Sequence, residues 1–371
     1  MARSPREVAA ARDRTAPCRA PAPREPLPGP NRSASPESSP ARALEIARAR
    51  RHERVAARAT EDAKRATDRL LELEGVLAQY EALAAEPIEP VSFPPLRKGK
   101  RPAVAVALLS DVHYEERVTP STAVPNTYTP EIAGRRLGRF FRGVDWMIRN
   151  ARAFEIDTVV CWLGGDIISG DIHEELLEVG AMPPREALLD VQAHVAAGLA
   201  MLTRTPGVRR VLVPCSYGNH GRTTDRMRAA TGFGHSLEWI MYQNLAAHFV
   251  GSESIQIHAD KSEHQAVTVG DYRLAFHHGH RIRYQGGIGG ITVPLVKKVF
   301  AWDQWERADY WHFGHFHSFI DLGRIMVNGS LIGPSAYSRA IGASPEPARQ
   351  GFYILDAKRG KTSVSPIWVT E

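Results

Sequence analysis

Five times along this chain an apolar run of strand length ends directly in an Asp, Asn or His. "ALLSDVH" closes on Asp111 and His113, "CWLGGDIISG" on Asp166, and "PCSYGNHGR" on Asn219 and His220. "LAFHHGH" closes on His278 and His280, and "WHFGHFHS" on His315 and His317. In α/β sheets a side chain at the carboxyl end of a strand leaves the core while its backbone stays rigid, and sites assemble along that edge. The pattern therefore demands a fold that gathers five separate strand ends in one place.

The spacing between these runs sets the fold class. "AVAVALLS", "TVVCWLG" and "RVLVPCS" read as buried strands. They are separated by amphipathic helical segments around 132–154 and 185–203, and a further helix is expected around 236–249. The later part is richer in strands: "QAVTVGDYRLAFH", "DYWHFGH", "GRIMVNGS", "GFYILDAKR" and "SVSPIWV". With 371 residues, 43% of them apolar, the chain can bury a substantial core. The predicted fold is α/β, with two sheets stacked as a sandwich and helices outside, over residues 103–371.

Three shorter regions precede that domain. Residues 1–40, rich in Pro, Arg, Ser and Ala, hold too few large apolar residues to bury anything and are expected to be a disordered tail. Residues 41–86 contain no proline and only Gly75, which predicts one long helix or a helical hairpin. Leu70, Leu73, Leu77, Tyr80 and Leu83 repeat at spacings of three and four, a stripe suited to a coiled coil and a homo-oligomer, or to folding back on the body. Residues 87–102 form a proline-rich linker carrying Arg97, Lys98, Lys100 and Arg101.

Charge and histidine are unevenly shared. Residues 1–101 carry 20 Lys and Arg against 14 Asp and Glu, so the remaining 27 of each sign balance and the net charge of +6 lies wholly in the front part. Of the 15 histidines, only His52 precedes residue 102. A basic front suggests attraction to anions, and a neutral, histidine-rich body suggests metal chemistry. The start "MARSPREVAAARDR" has charges where a secretory signal would be apolar, and no long uncharged apolar run follows, so a cytoplasmic protein with no membrane partner is expected. Cys18, Cys161 and Cys215 are too scattered for a disulfide framework or a thiolate zinc site.

Asp, Asn and His without cysteine form an oxygen- and nitrogen-rich set suited to manganese, iron, zinc or magnesium. Gly165, Gly218 and Gly314 beside them permit turns and a close approach of backbone or phosphate.

The order of motifs over residues 103–329, D-x-H, G-D, G-N-H, a His before Gly and G-H-x-H, resembles the calcineurin-like metallophosphoesterase superfamily. That resemblance implies a four-layer α/β/β/α sandwich preceded here by the long helix, and two divalent ions, manganese first among the candidates. It implies that Asp111, His113, Asp166 and His317 hold one ion, and Asp166, Asn219, His278 and His315 the other. His220 corresponds to the catalytic histidine, which stabilises the transition state or protonates the leaving oxygen. In "HHGH" the ligand is the His directly before Gly, hence His278, with His277 and His280 in supporting roles.

Two departures matter. Many relatives have an acidic residue after the catalytic His, where this chain has Gly221, and Arg222 follows as a candidate for binding substrate phosphate. "GGDIISGD" departs from the protein-phosphatase pattern G-D-x-V-D-R-G. The wider strings "GGDIISGDIHEEL", "GNHGRTT" and "VNGSLIG" are similar to phosphoesterases of phages and prophages, related to bacterial recombination-repair nucleases. The activity implied is a metal-dependent phosphodiester hydrolase, first of all a DNA nuclease, with Arg222, Arg281 and Arg283 on the DNA side. The alternative is an esterase for a small nucleotide, which the charge balance of the body favours. The stretch "YQGGIGGITVPLVKK" reads as a substrate loop leading into a helix, and His173, Glu174 and Glu175 as part of the rim.

Overall fold

The computed structural model describes residues 40–85, 99–121, 124–283, 290–340 and 344–370. The expected tail, most of the linker and the Gly-rich stretch 284–289 lie outside them. The chain divides into two units, Met1–Pro95 and Leu96–Glu371.

Among the described residues the first unit contributes one helix, α1 (Pro40–Ala85). Ala, Glu and Arg dominate it, residues that lose little side-chain freedom in a helix, and neither proline nor a cap interrupts its 46 residues. The Leu70, Leu73, Leu77 and Tyr80 stripe is exposed. The side chain of Leu83 lies outside the described residues.

In the second unit the elements follow as β1 (Arg101–Leu109), α2 (Pro130–Asn150), β2 (Phe154–Leu163), α3 (Glu174–Val179), α4 (Pro184–Leu202), β3 (Arg210–Pro214), α5 (Leu237–His248) and β4 (Ile255–His258). Then come β5 (Gln265–Val269), β6 (Tyr272–His277), α6 (Thr292–Trp302), β7 (Tyr310–Phe313), β8 (Ile320–Asp321), β9 (Ile325–Val327), α7 (Ala336–Ala340), β10 (Arg349–Asp356) and β11 (Gly360–Trp368). Several boundaries differ from the sequence expectation. The strand starts at Arg101, inside the expected linker, because Arg101 and Pro102 pair with Phe154 and Glu155. The segment expected as one helix over 132–154 is a helix to Asn150 and then the start of β2. "QAVTVGDYRLAFH" is a hairpin of β5 and β6, and β4, too short for a periodic signal, was not anticipated.

The strands form two sheets, β11-β10-β1-β2-β3-β4 and β5-β6-β7-β9-β8. Alternation along each strand builds the layers. In β1, Ala103, Ala105, Ala107 and Leu109 face one core with Phe140 of α2, Leu199 of α4 and Met241 of α5. Val106 and Leu108 face the other way, onto Leu274 and Phe276 of β6. The far side of the second sheet, with Trp311 and Phe313, is covered by Leu295 and Val299 of α6. The order is helices, sheet, sheet, helix, the four-layer sandwich expected. Full burial of each large apolar side chain contributes about 1.5–3 kcal/mol. Cys161 and Cys215 are buried free thiols, and burial pushes the Cys161 thiol up to about 12.

The site follows from strand direction. β1, β2 and β3 run parallel, as do β6 and β7, so the carboxyl ends of all five strands carry the Asp, Asn and His motifs outward. The connections between them are helices, as parallel strands require.

Candidate metal centre

The sequence motifs meet at this edge. Asp111, His113 and His317 bring ligand atoms within 4.8 Å of one another, and so do Asp166, His278 and His315. His113 Nε2 lies 3.2 Å from His317 Nε2, and His317 Nε2 lies 3.4 Å from Asp111 Oδ1. His278 Nε2 lies 2.8 Å from Asp166 Oδ2.

Backbone conformation marks the same residues. Asp111, His113, Asp166, His315 and His317 all have positive φ, between 48° and 70°. Ser363 is the one other such non-glycine residue among those described. Left-handed backbone costs an L-residue about 1–2 kcal/mol, which persists only when the surroundings over-determine it. The sharp turn is what lets Asp111 and His113, two apart, aim at one point. The loops after β1 and β2 lock together: Asp111 N donates to Gly165 O at 3.0 Å and Val112 N to Asp166 O at 2.8 Å. Gly218 sits where a Cβ would collide with the Asp166 backbone and carboxylate, so only glycine lets the third loop pass.

Hydrogen bonds at Nδ1 fix which nitrogen His278 and His113 turn to the centre. His278 Nδ1 donates to Gly164 O at 2.7 Å, so its Nε2 is the nitrogen presented to the Asp166 carboxylate. His113 Nδ1 donates to Ser169 Oγ at 3.0 Å, and that hydroxyl donates to Glu116 Oε2 at 3.0 Å. The carboxylate thus orients the imidazole through the serine, and His113 Nε2 is left as an acceptor. Asp111 is held by Ser110 Oγ at 2.5 Å and His315 N at 2.8 Å, with Asn328 donating to Ser110 Oγ at 2.9 Å.

The result is a buried convergence of acceptors. Asn219 Oδ1 adds another, buried and without a hydrogen-bond partner. Such a set is unfavourable unless a cation sits among it. The residues present therefore fit divalent metal ions, held by oxygen and imidazole nitrogen. Burial, with the neighbouring His220 and His317, holds His113 well below its usual range, and burial with His278 does the same to His315, so both are neutral as ligands must be. Burial would also lower His278 and His317, but the Asp166 carboxylate pushes His278 up to about 9 and Asp111 holds His317 above its usual range, so in the absence of an ion these two pair with the carboxylates as cations. Burial alone would raise Asp166, but His278, His220 and His113 outweigh it and keep the carboxyl well below its ordinary value.

His220 stands beside this centre. Its Nδ1 donates to the Ser169 carbonyl at 3.0 Å, and its Nε2 lies 4.0 Å from Asp166 Oδ2. Its amide donates to Asp166 Oδ1 at 2.8 Å. The acidic orienting residue absent at Gly221 is replaced by a main-chain carbonyl.

Arg222 is used differently from the sequence expectation of phosphate binding. Its guanidinium donates to the carbonyls of Asn219, Thr224 and Asp225 at 2.7, 2.9 and 3.2 Å, so it pins its own loop. Three of its five N–H donors are taken by main-chain carbonyls because the loop turns back over it, and two are left.

His277 and His280 form a separate cluster with Glu263. Gly279 N donates to His277 Nδ1 at 2.8 Å, which places the imidazole proton on Nε2, directed at Glu263 Oε2 3.6 Å away. Arg281 gives Glu263 two further bonds, at 2.9 and 2.5 Å. Burial alone would raise Glu263, yet Arg281 and the two histidines hold it well below a normal carboxyl. Arg281 meets the Glu263 charge, while His277 Nε2 and His280 Nδ1, both buried, have no hydrogen-bond partner.

Sequence reasoning missed the residues that hold the loops. Glu238 of α5, fully buried, accepts from Ile167 N and Gly218 N at 2.6 Å each. Glu115 accepts from Ser169 N at 3.0 Å and Gly170 N at 2.8 Å. Burial pushes both carboxyls up to about 7. A lone glutamate in a helix gives no sequence signal; the available clue is the pair Glu115 and Glu116, one residue beyond the D-x-H motif.

No family model matches the chain, and no curated protein matches it. Among solved structures, it is similar to a predicted phosphoesterase from Streptococcus pneumoniae, at 13% identity over 73% of this chain and 99% of that one, TM-score 0.27. It is also similar to vacuolar protein sorting 29 of Cryptosporidium parvum, at 15% identity over 71% of this chain and 96% of that one, TM-score 0.27. A third is the sulfate thiohydrolase SoxB of Thermus thermophilus, at 10% identity over 75% of this chain and 58% of that one, TM-score 0.30. Likeness at this level says nothing of site chemistry, which has to be read from this chain's own residues.

Proposed function

We propose that this protein is a metal-dependent phosphodiester hydrolase of the calcineurin-like type with two divalent ions, manganese foremost, and that its substrate is DNA. The observation that carries the metal-dependent reading is the convergence of buried Asp, Asn and His atoms, with Asn219 Oδ1 left orphaned among left-handed aspartates and histidines. Bound divalent ions would polarise the phosphoryl group and lower the pKa of an attacking water.

The chain's own residues would do the rest. Asp111, His113 and His317 would hold one ion, and Asn219, His278 and His315 the other, with Asp166 between the two sets. His220 Nε2 faces the same space with its Nδ1 proton fixed on the Ser169 carbonyl. That tautomer presents a nitrogen able to carry a proton to the leaving oxygen or, as imidazolium, to offset charge on the phosphoryl oxygens. The basic front end supports a nucleic-acid substrate, and similarity of the motif strings to phage and prophage phosphoesterases supports a nuclease of that origin. The exposed stripe of α1 supports assembly through a second copy.

The test is hydrolysis of bis-p-nitrophenyl phosphate and of linear duplex, single-stranded and circular DNA with Mn²⁺, beside cyclic dinucleotides and monoesters. Asp166→Asn is expected to abolish turnover with the fold intact. Full activity in that variant at unchanged metal content removes the site, and cleavage of small substrates alone decides for the small-nucleotide esterase that the charge balance of the body favours.

A further inference from the structure

The balanced charge of the body conceals a segregated one around the metal centre. On the His220 side acids predominate: His173, whose ring centroid is 6.4 Å from that of His220, leads into α3 with Glu174, Glu175 and Glu178, and Asp171 lies just before it, all four acids exposed, against Arg117, which bonds the Gly180 carbonyl at the end of α3. On the His278 side the rim is basic. His280, with its ring 5.6 Å from His278, is followed by Arg281 and Arg283, and these line an open groove of about 410 Å³ with Lys297 and Lys298 of α6.

The groove is built. Arg281 is clamped by Glu263 and donates to Arg228 O at 2.8 Å, tying the loop after the G-N-H motif to the groove wall. Lys298 lies over the Trp302 ring at 5.2 Å. Glu263, the one carboxylate touching these side chains among the described residues, is neutralised by Arg281 behind the groove. Arg283 and Lys297 are exposed and face solvent. A single small ester bound at the metal centre would have no use for a second concentration of positive charge, whereas a chain of phosphates needs one.

We propose that the groove lined by Arg283, Lys297 and Lys298 is a subsite for phosphates flanking the scissile one, so that the substrate is a nucleic-acid strand running from the metal centre over the basic rim and away from α3. This rests on the hydrolase reading above and adds to it a subsite beside the metal centre and the direction in which the strand lies. The acidic rim repels a phosphate chain and the basic rim attracts it, which gives one path across the centre.

The experiment compares wild type with the double variant Arg283→Ala/Lys297→Ala, both exposed positions away from the core. The readout is the ratio of kcat/KM for a single-stranded oligodeoxynucleotide to that for bis-p-nitrophenyl phosphate. It is expected to fall about tenfold or more, through KM for the oligonucleotide. The slope of log affinity against log salt, measured by fluorescence anisotropy of a labelled oligonucleotide, is expected to drop by about 1.4, roughly 0.7 for each lost phosphate contact. An unchanged ratio and an unchanged slope overturn the subsite. So does a variant weakened for inorganic polyphosphate but not for the oligonucleotide. If wild type hydrolyses neither substrate, the hydrolase reading fails, and the anisotropy slope still decides the groove.

Discussion

The Ser169 carbonyl accepts a hydrogen bond from His220 Nδ1 at 3.0 Å, while the hydroxyl of the same serine receives one from His113 Nδ1. One residue thus sets the tautomer of a metal ligand and of the candidate catalytic histidine. Ser169 is in turn held by Glu115 through its amide, so the aim of both imidazoles depends on the loop after β2.

His220→Ala is expected to keep the metal content of wild type while losing at least about two orders of magnitude in kcat, the usual contribution of a general acid or of charge stabilisation. Metal analysis beside bis-p-nitrophenyl phosphate kinetics checks it. Loss of metal in this variant would make His220 a ligand instead.

Glu238→Gln tests the clamp on the loops. An amide offers one acceptor where the carboxyl takes amides from Ile167 and Gly218 on two oxygens, so one buried N–H is left facing an NH₂ group. Unfolding free energy is expected to fall by about 1–3 kcal/mol and metal affinity by about 10–100-fold. Denaturant titration and metal titration read the two effects; an unaltered metal affinity would mean that the loops hold their shape without the clamp.

His312 gives the protein an acid limit away from the metal centre. It is buried against Phe276, bonded to Ala275 O at 3.0 Å and to the Tyr353 hydroxyl at 2.9 Å, and burial lowers its pKa to about 3. Because the folded value lies below the unfolded one of about 6.5, its neutral form adds stability that is full above that value and is lost as pH falls toward about 3. His312→Gln is expected to flatten the acid side of the stability curve by about one proton, or about 1.4 kcal/mol per pH unit. Urea unfolding between those two values measures it, and an identical slope in wild type and variant would refute it.

The stripe on α1 calls for a partner helix. Leu70, Leu73, Leu77 and Tyr80 follow a 3-4-3 spacing and are 59%, 50%, 58% and 68% exposed, a seam that a second copy would cover. Leu70→Lys/Leu77→Lys is expected to reduce the mass seen in light scattering to that of the monomer. A wild-type chain already at monomer mass would sink this assembly.

Periodicity and motif order carried the sequence a long way. The unbroken apolar run in "AVAVALLS" marks a strand with two buried faces, and five apolar runs ending in Asp, Asn or His mark a shared edge; both are local patterns, legible without coordinates. Local signals failed where a contact is distant in sequence. Arg222 beside the G-N-H motif reads as a phosphate ligand, and only the folded loop shows that three of its five donors hold main-chain carbonyls. Glu238 and Glu115 gave no pattern because their partners are backbone amides of other loops, and His277 differs from its neighbour His278 in facing Glu263 and the Gly279 amide where His278 faces Asp166 and the Gly164 carbonyl. The residue types and their order determined which chemistry this protein can hold; which lone pairs face one another, which charges are already paired and where the basic rim lies were decided by packing. Hydrogen-bond geometry acts over about 3 Å, a distance that chain order does not encode.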